Sequence, residues 1–244
     1  MQDSTKRPYD FALNTNVSAS LQRVGQVNEP VLIIDNVLSN AHSLIDFARD
    51  EVEFAPSWTP NGGYPGIRAP APVDYANRLV RALGPMVNKA FSIENLKPKR
   101  ADCYLSMVTL PPDRLAPLQC IPHIDIADPM RIAFLHYLCD DRFGGTAFFR
   151  HRATGLETIS PTQEATYLTA RDREMAAQQP AKAYVSDKTA CYETVGFVPA
   201  RFNRVVVYRS QLLHSGRIPD GMNFSSNPSE GRLTTNVFVT YRPV

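Results

Sequence analysis

The chain has 244 residues, of which 43% are hydrophobic and 20% charged, with a formal net charge of +2. That is enough apolar material for one sizeable core, and the interspersed charges form no basic stripe or arginine-rich tract, which removes nucleic-acid binding from the classes the composition supports. Met1 to Asn14 is polar and carries Lys6 and Arg7 with no apolar run behind them, and no stretch reaches bilayer-spanning length. The expectation is a cytoplasmic chain without a signal peptide or membrane contact. Cys103, Cys120, Cys139 and Cys191 lie far apart, a spacing of neither a zinc ribbon nor a disulfide scaffold, and are expected to be reduced.

In chain order, residues 1–27 read as a weakly ordered lead-in and 28–244 as a single domain. A buried strand is predicted over 30–36, then a helix over about 39–52 with Leu44, Ile45, Phe47 and Ala48 at helical spacing. Residues 54–72, rich in Pro and Gly, read as loop. A second helix is predicted over 73–91, with Leu79, Val80, Leu83, Met86 and Val87 on one face and Gly84-Pro85 as a point of kink or division. From Arg100 the pattern turns to β, with strands over 102–110, 120–126, 131–138, 146–150, 204–209 and 232–241. An insert over about 160–200 opens with a helix over 160–177, for which Ser160-Pro161 supplies cap and first-turn proline. Two helices followed by a strand-rich half predict an α+β, mainly β class: a sandwich or barrel with helices packed on one side.

The residues that most nearly name a chemistry are His123-Ile124-Asp125 and, about ninety residues later, His214. Two imidazoles and one carboxylate make the facial triad that binds ferrous iron and leaves coordination positions open, although ligand type alone also admits manganese, cobalt or nickel. On a strand, His123 and Asp125 share a face, so both can reach one ion. His214 closes the apolar run from Arg204 to Leu213 and precedes Ser215-Gly216. His136, His151 and His42 are weaker candidates: His136 reads as a core or outer-face histidine, His151 as a solvent or substrate contact beyond a strand end, and His42 as a helix residue without a role.

The order His-x-Asp, a strand ending in Tyr137-Leu138, a Gly144-Gly145-Thr146 turn, His214-Ser215-Gly216 and an arginine-led last strand resembles the iron(II)/2-oxoglutarate-dependent dioxygenases, and within them the prolyl-4-hydroxylase-like branch. The run from Pro30 to Ser39 followed by a helix is similar to the way those proteins begin. The resemblance spans about 28–244 and implies a double-stranded β-helix (a cupin-like jelly roll) with N-terminal helices packed on the major sheet. It implies iron(II) on His123, Asp125 and His214, with 2-oxoglutarate as co-substrate and dioxygen as oxidant. Arg232 is the match to the residue that holds the far carboxylate of 2-oxoglutarate, with Tyr137, Tyr104 and Thr234 as further contacts and Arg217 as a competitor. Arg232 follows His214 by eighteen residues, a longer spacing than the family usually has. The implied activity is hydroxylation of a small-molecule, amino-acid or peptide substrate with release of succinate and carbon dioxide. Asp125 speaks against halogenation, for which the related enzymes carry a small residue. The competing expectation is a metal-binding jelly roll, sensor or binding module, without oxygenase activity. No feature of the sequence indicates a homo-oligomer.

Overall fold

The computed structural model describes residues 9–93 and 96–243. The start of the predicted lead-in, residues 1–8, lies outside them, as does the last residue. Eleven strands and three α-helices follow in the order β1 (Ser18–Val24), β2 (Glu29–Asp35), α1 (His42–Asp50), β3 (Ala55–Thr59), β4 (Gly62–Pro70), α2 (Val73–Phe91), β5 (Leu96–Val108), β6 (Arg131–Tyr137), β7 (Gly145–His151), α3 (Glu164–Ala177), β8 (Tyr192–Pro199), β9 (Arg204–Arg209), β10 (His214–Arg217) and β11 (Leu233–Pro243). Short 3-10 turns occupy Pro112–Arg114, Pro117–Cys120 and Asp141–Phe143.

All paired strands are antiparallel and form two sheets, one of eight strands ordered β1-β2-β9-β6-β11-β5-β4-β3 and one of three ordered β10-β7-β8. Period-two alternation sorts the large sheet into two faces. Ile132 and Phe134 of β6, Val205 and Val207 of β9, and Leu233, Val237 and Val239 of β11 join Leu44 of α1 and Leu79, Leu83 and Val87 of α2 in the main core. The alternate residues, Ala133, Leu135, Tyr137, Val206 and Tyr208, pack instead with Phe148 and Val198 of the small sheet. Helices α1 and α2, the large sheet and the small sheet are thus three successive layers, while Tyr167 of α3 packs with Ala147 and Phe149 of the small sheet. Each fully buried leucine or valine in them contributes about 1.5–3 kcal/mol relative to exposure.

Several elements depart from the sequence reading. Residues 18–24, placed in the weakly ordered lead-in, form β1 and pair along their whole length with β2. Its residues are almost all exposed, so an edge strand of this kind carries no apolar alternation to reveal it. The turn into β2 depends on Gly25, whose φ of 68° and whose closeness to Glu157 (an added Cβ would lie 1.9 Å from Oε2) leave no room for a side chain. Glu157 accepts hydrogen bonds from the Gln26 and Val27 amides. Residues 54–72, read as loop, contain β3 and β4, which extend the large sheet beside β5. Helix α2 runs unbroken through Gly84-Pro85, with Pro85 exposed on the side turned from the core. Helix α3 starts at Glu164; Ser160 to Gln163 form the turn before it, with the Gln163 side chain accepting from the Ser160 amide. Its insert also contains β8.

No helix among the described residues is long and apolar enough to cross a membrane. The four cysteines are free.

Candidate metal centre

His123, Asp125 and His214 come together. Their potential ligand atoms all lie within 4.8 Å of one another. The local structure differs from the one the spacing suggested. Residues 120–126 do not form a strand: Pro117 opens a 3-10 turn and Pro122 lacks an N–H, so ladder pairing is cut short. What remains is an isolated bridge in which His123 and His214 exchange both backbone hydrogen bonds at 2.9 Å. The Asp125 amide donates to the Ser210 carbonyl at 2.9 Å, which fixes the next two residues of the same arm. His214 is not the end of β9 either. The chain leaves the large sheet after Arg209, turns through 210–213, and enters the small sheet with His214 as the first residue of β10, opposite Phe148.

The protonation chemistry suits a cation. Nδ1 of His214 lies 2.8 Å from the Leu212 carbonyl. A carbonyl only accepts, so Nδ1 carries the proton and Nε2 keeps its lone pair. That Nε2 is 3.8 Å from Asp125 Oδ1. Burial holds the His214 imidazole well below its ordinary range, at about 4, and burial together with His214 also lowers His123. Both rings are therefore neutral at pH 7, ready to donate to a metal without losing a proton. Burial raises the Asp125 carboxyl, partly offset by His123. All three groups are thus disfavoured in their charged forms chiefly by burial.

The triad lies on the wall of a cavity of about 570 Å³ between the two sheets, which is also lined by Arg68, Thr146, Thr234, Asn236 and Arg232. Arg232 is 4% exposed. It donates from Nε to the Phe143 carbonyl at 3.0 Å and from the guanidinium to the Gly145 carbonyl at 3.2 Å. It has no carboxylate partner among the described residues. Thr234 is buried in the same wall, and Asn236 donates to Ser106 Oγ at 2.8 Å beside it. Tyr137 is fully buried behind that wall, with its hydroxyl 2.5 Å from that of Thr146 and its ring 5.6 Å from the Arg232 guanidinium carbon. Tyr104 stands apart: it is 38% exposed and does not line the cavity. Arg217, the competing arginine, is ion-paired with Asp187 and packs on the Phe197 ring, facing a neighbouring cavity of about 780 Å³ along α3 and residues 178–192.

The remaining histidines are accounted for by packing. His136 is on the helix side of β6, fully buried between the Tyr75 hydroxyl (2.9 Å) and Asn203 Oδ1 (3.2 Å). His151, expected at the surface, is fully buried with Thr154 and Glu174 each 2.9 Å away, and it ties α3 to β7. His42 is exposed and lies against Phe202. Of the insert, Tyr167 and Tyr184 reach the cavity wall, but their hydroxyls are engaged with Tyr192 and the Leu110 carbonyl. Lys182 is turned to the Asp113 carbonyl. Arg68 and Tyr64 of β4 also line the cavity, which the sequence does not signal because their segment carries Gly and Pro rather than a strand pattern.

Residues 15–239 match the model of a protein family described as "Family of unknown function (DUF6445)". The chain belongs to that family. No curated protein matches this DUF6445 chain. Among solved structures it is similar to the non-heme alpha ketoglutarate dependent epimerase SnoN from nogalamycin biosynthesis, with a TM-score of 0.48 and 12% identity over 88% of this chain and 78% of that one. It is also similar to HygX from Streptomyces hygroscopicus with nickel, 2-oxoglutarate and hygromycin B bound (TM-score 0.44, 17% identity, 88% and 83% covered). A third is an N-substituted L-amino acid dioxygenase from Burkholderia ambifaria AMMD (TM-score 0.40, 11% identity, 92% and 96% covered).

Proposed function

We propose that this DUF6445 chain is an iron(II)- and 2-oxoglutarate-dependent dioxygenase, a hydroxylase acting on a small-molecule, amino-acid or peptide substrate. The observation that carries the reading is the pairing, in one cavity, of the His123–Asp125–His214 triad with a buried guanidinium, Arg232, that has no acid beside it among the described residues. A buried unpaired cation is costly, and a carboxylate from outside resolves that cost. The two facing sheets are taken as a double-stranded β-helix, and the prolyl-4-hydroxylase-like branch rests on the order of the triad and the entry through β2 into α1.

The donor set fits the ion: two neutral imidazoles and one carboxylate, with open positions left for other ligands. Iron(II) and 2-oxoglutarate, when bound, supply dioxygen activation, with succinate and carbon dioxide as co-products. The chain's own residues hold and shield. His123, Asp125 and His214 hold the metal. Arg232 presents a planar fork to the far carboxylate of the co-substrate, with Thr234 as a hydroxyl beside it. Tyr137 acts at one remove, since its hydroxyl engages Thr146 and its ring backs the guanidinium. Ile121, Ile124 and Leu135 line the cavity and keep its wall apolar near the reacting centre.

The test is succinate formation that requires both iron(II) and 2-oxoglutarate, read together with calorimetric binding of 2-oxoglutarate to the manganese(II)-loaded protein. Arg232→Ala is expected to weaken 2-oxoglutarate binding about 10- to 100-fold, the range of a charge-assisted hydrogen-bonded contact, while manganese(II) still binds. A protein that binds the metal but neither binds nor consumes 2-oxoglutarate would instead be a metal-binding sensor or binding module.

A further inference from the structure

A second cation faces the same cavity and has no assigned use. Arg68, on β4, lines the wall together with the triad. Its Nε is fully buried and has no hydrogen-bond partner, and it makes no ion pair among the described residues. The rings of Tyr64 and Tyr104 lie 4.3 and 5.6 Å from its guanidinium carbon, so its neighbours are aromatic and supply no carboxylate. The third arginine of the cavity, Arg171, is satisfied by Asp172 at 2.7 Å. Glu164 lines the cavity without pairing to Arg68.

Charge accounting shows what is missing, given the oxygenase reading above, on which this step rests. A divalent ion is balanced by Asp125 and by the carboxylate of 2-oxoglutarate nearest to it. Arg232 is balanced by the far carboxylate. Arg68 is left with one positive charge, since Arg171 is held by Asp172 and Glu164 is exposed and pairs with no arginine among the described residues; the wall around it also presents Leu118, Ile126, Leu135 and Phe238. We infer that Arg68 is the substrate anchor and that the substrate carries a carboxylate, held bidentately by this guanidinium with its apolar part along that wall. One fork matches one planar carboxylate; a phosphoryl dianion would leave a negative charge unmatched.

The experiment uses the whole chain loaded with manganese(II) and 2-oxoglutarate, and calorimetry with 3-phenylpropanoate, 3-phenylpropanamide and phenyl phosphate as probes. The carboxylate is expected to bind about 10- to 100-fold more tightly than the amide of the same shape. Arg68→Gln is expected to abolish that preference, and Arg68→Lys to keep part of it, since the charge stays while the fork is lost. Equal affinity for carboxylate and amide in the unaltered protein, no binding of either, or tighter binding of phenyl phosphate overturns the proposal without depending on any variant folding. Loss of 2-oxoglutarate binding in Arg68→Gln, as large as in Arg232→Ala, also overturns it, by moving Arg68 onto the co-substrate. Failure of the unaltered protein to bind 2-oxoglutarate at all is a different result: it removes the oxygenase reading, and the preference for carboxylate over amide on the metal-loaded chain then tests Arg68 by itself.

Discussion

Thr234 and Thr235 are neighbours on β11, yet they belong to opposite kinds of environment. Thr235 faces the helices, where its hydroxyl lies 2.8 Å from that of Tyr75, which in turn meets His136, which meets Asn203. Every polar group of that chain has its partner inside the protein. Thr234 faces the small sheet, in a wall shared with Arg232, Arg68 and the triad, where cations and ligating atoms have too few partners of their own. One sheet thus separates a closed hydrogen-bond network from an open one. The contrast distinguishes buried polar residues that serve packing from those that line a cavity, without reference to residue type: histidine occurs on both faces.

The largest expected effect is on the open face. His214→Ala or Asp125→Ala should lower manganese(II) affinity by more than the roughly 10- to 100-fold typical of losing an outer-shell contact, as read by calorimetry, while circular dichroism shows the fold retained. Unchanged affinity would place the metal elsewhere and erase the distinction between the faces. The closed face is sharpened by acid. Burial holds His136 neutral with a pKa of about 4, against an ordinary value of 6.5. The unfolded chain therefore takes up this proton first, so its contribution to stability is full above about pH 6.5 and is lost as the pH falls through about 4. The loss is about 3 kcal/mol. Urea melts at pH 7 and pH 4.5 should show this, and His136→Gln should remove a comparable part of the pH dependence. The smallest effect is expected at the border: Tyr104→Phe, half-exposed and off the cavity wall, should change 2-oxoglutarate affinity less than about twofold and stability by no more than about 0.5 kcal/mol. A tenfold loss of affinity would show that the ring swings into the open face.

Much of this was legible in the sequence where a residue pattern is local. The apolar stripe of α2 and the β-branched run Val205-Val206-Val207 state their elements directly, and His-x-Asp with a distant histidine states a donor set. Other features depend on what lies across space. β1 shows no alternation because both its faces are largely exposed, and β4 is a strand only because β5 offers it an edge. The 120–126 arm has strand composition, but Pro122 and the crossing to His214 reduce it to a single bridge. His151 sits among charged neighbours in sequence, and its burial follows from α3 folding over it. Above all, the absence of a paired acid beside Arg68 or Arg232 among the described residues, and the presence of Asp187 beside Arg217, are relations between distant segments. They separate three arginines that look alike in sequence.

The paired backbone bonds between His123 and His214 have a kinetic consequence. The two arms are fastened to each other by peptide groups, so closure of the long intervening chain has backbone bonds of its own. An ion entering this site completes a geometry and does not have to gather one. Stripping with a chelator should leave the molecule folded, and re-addition should refill it in a single fast phase, so that the protein can be emptied and reloaded with one divalent metal after another.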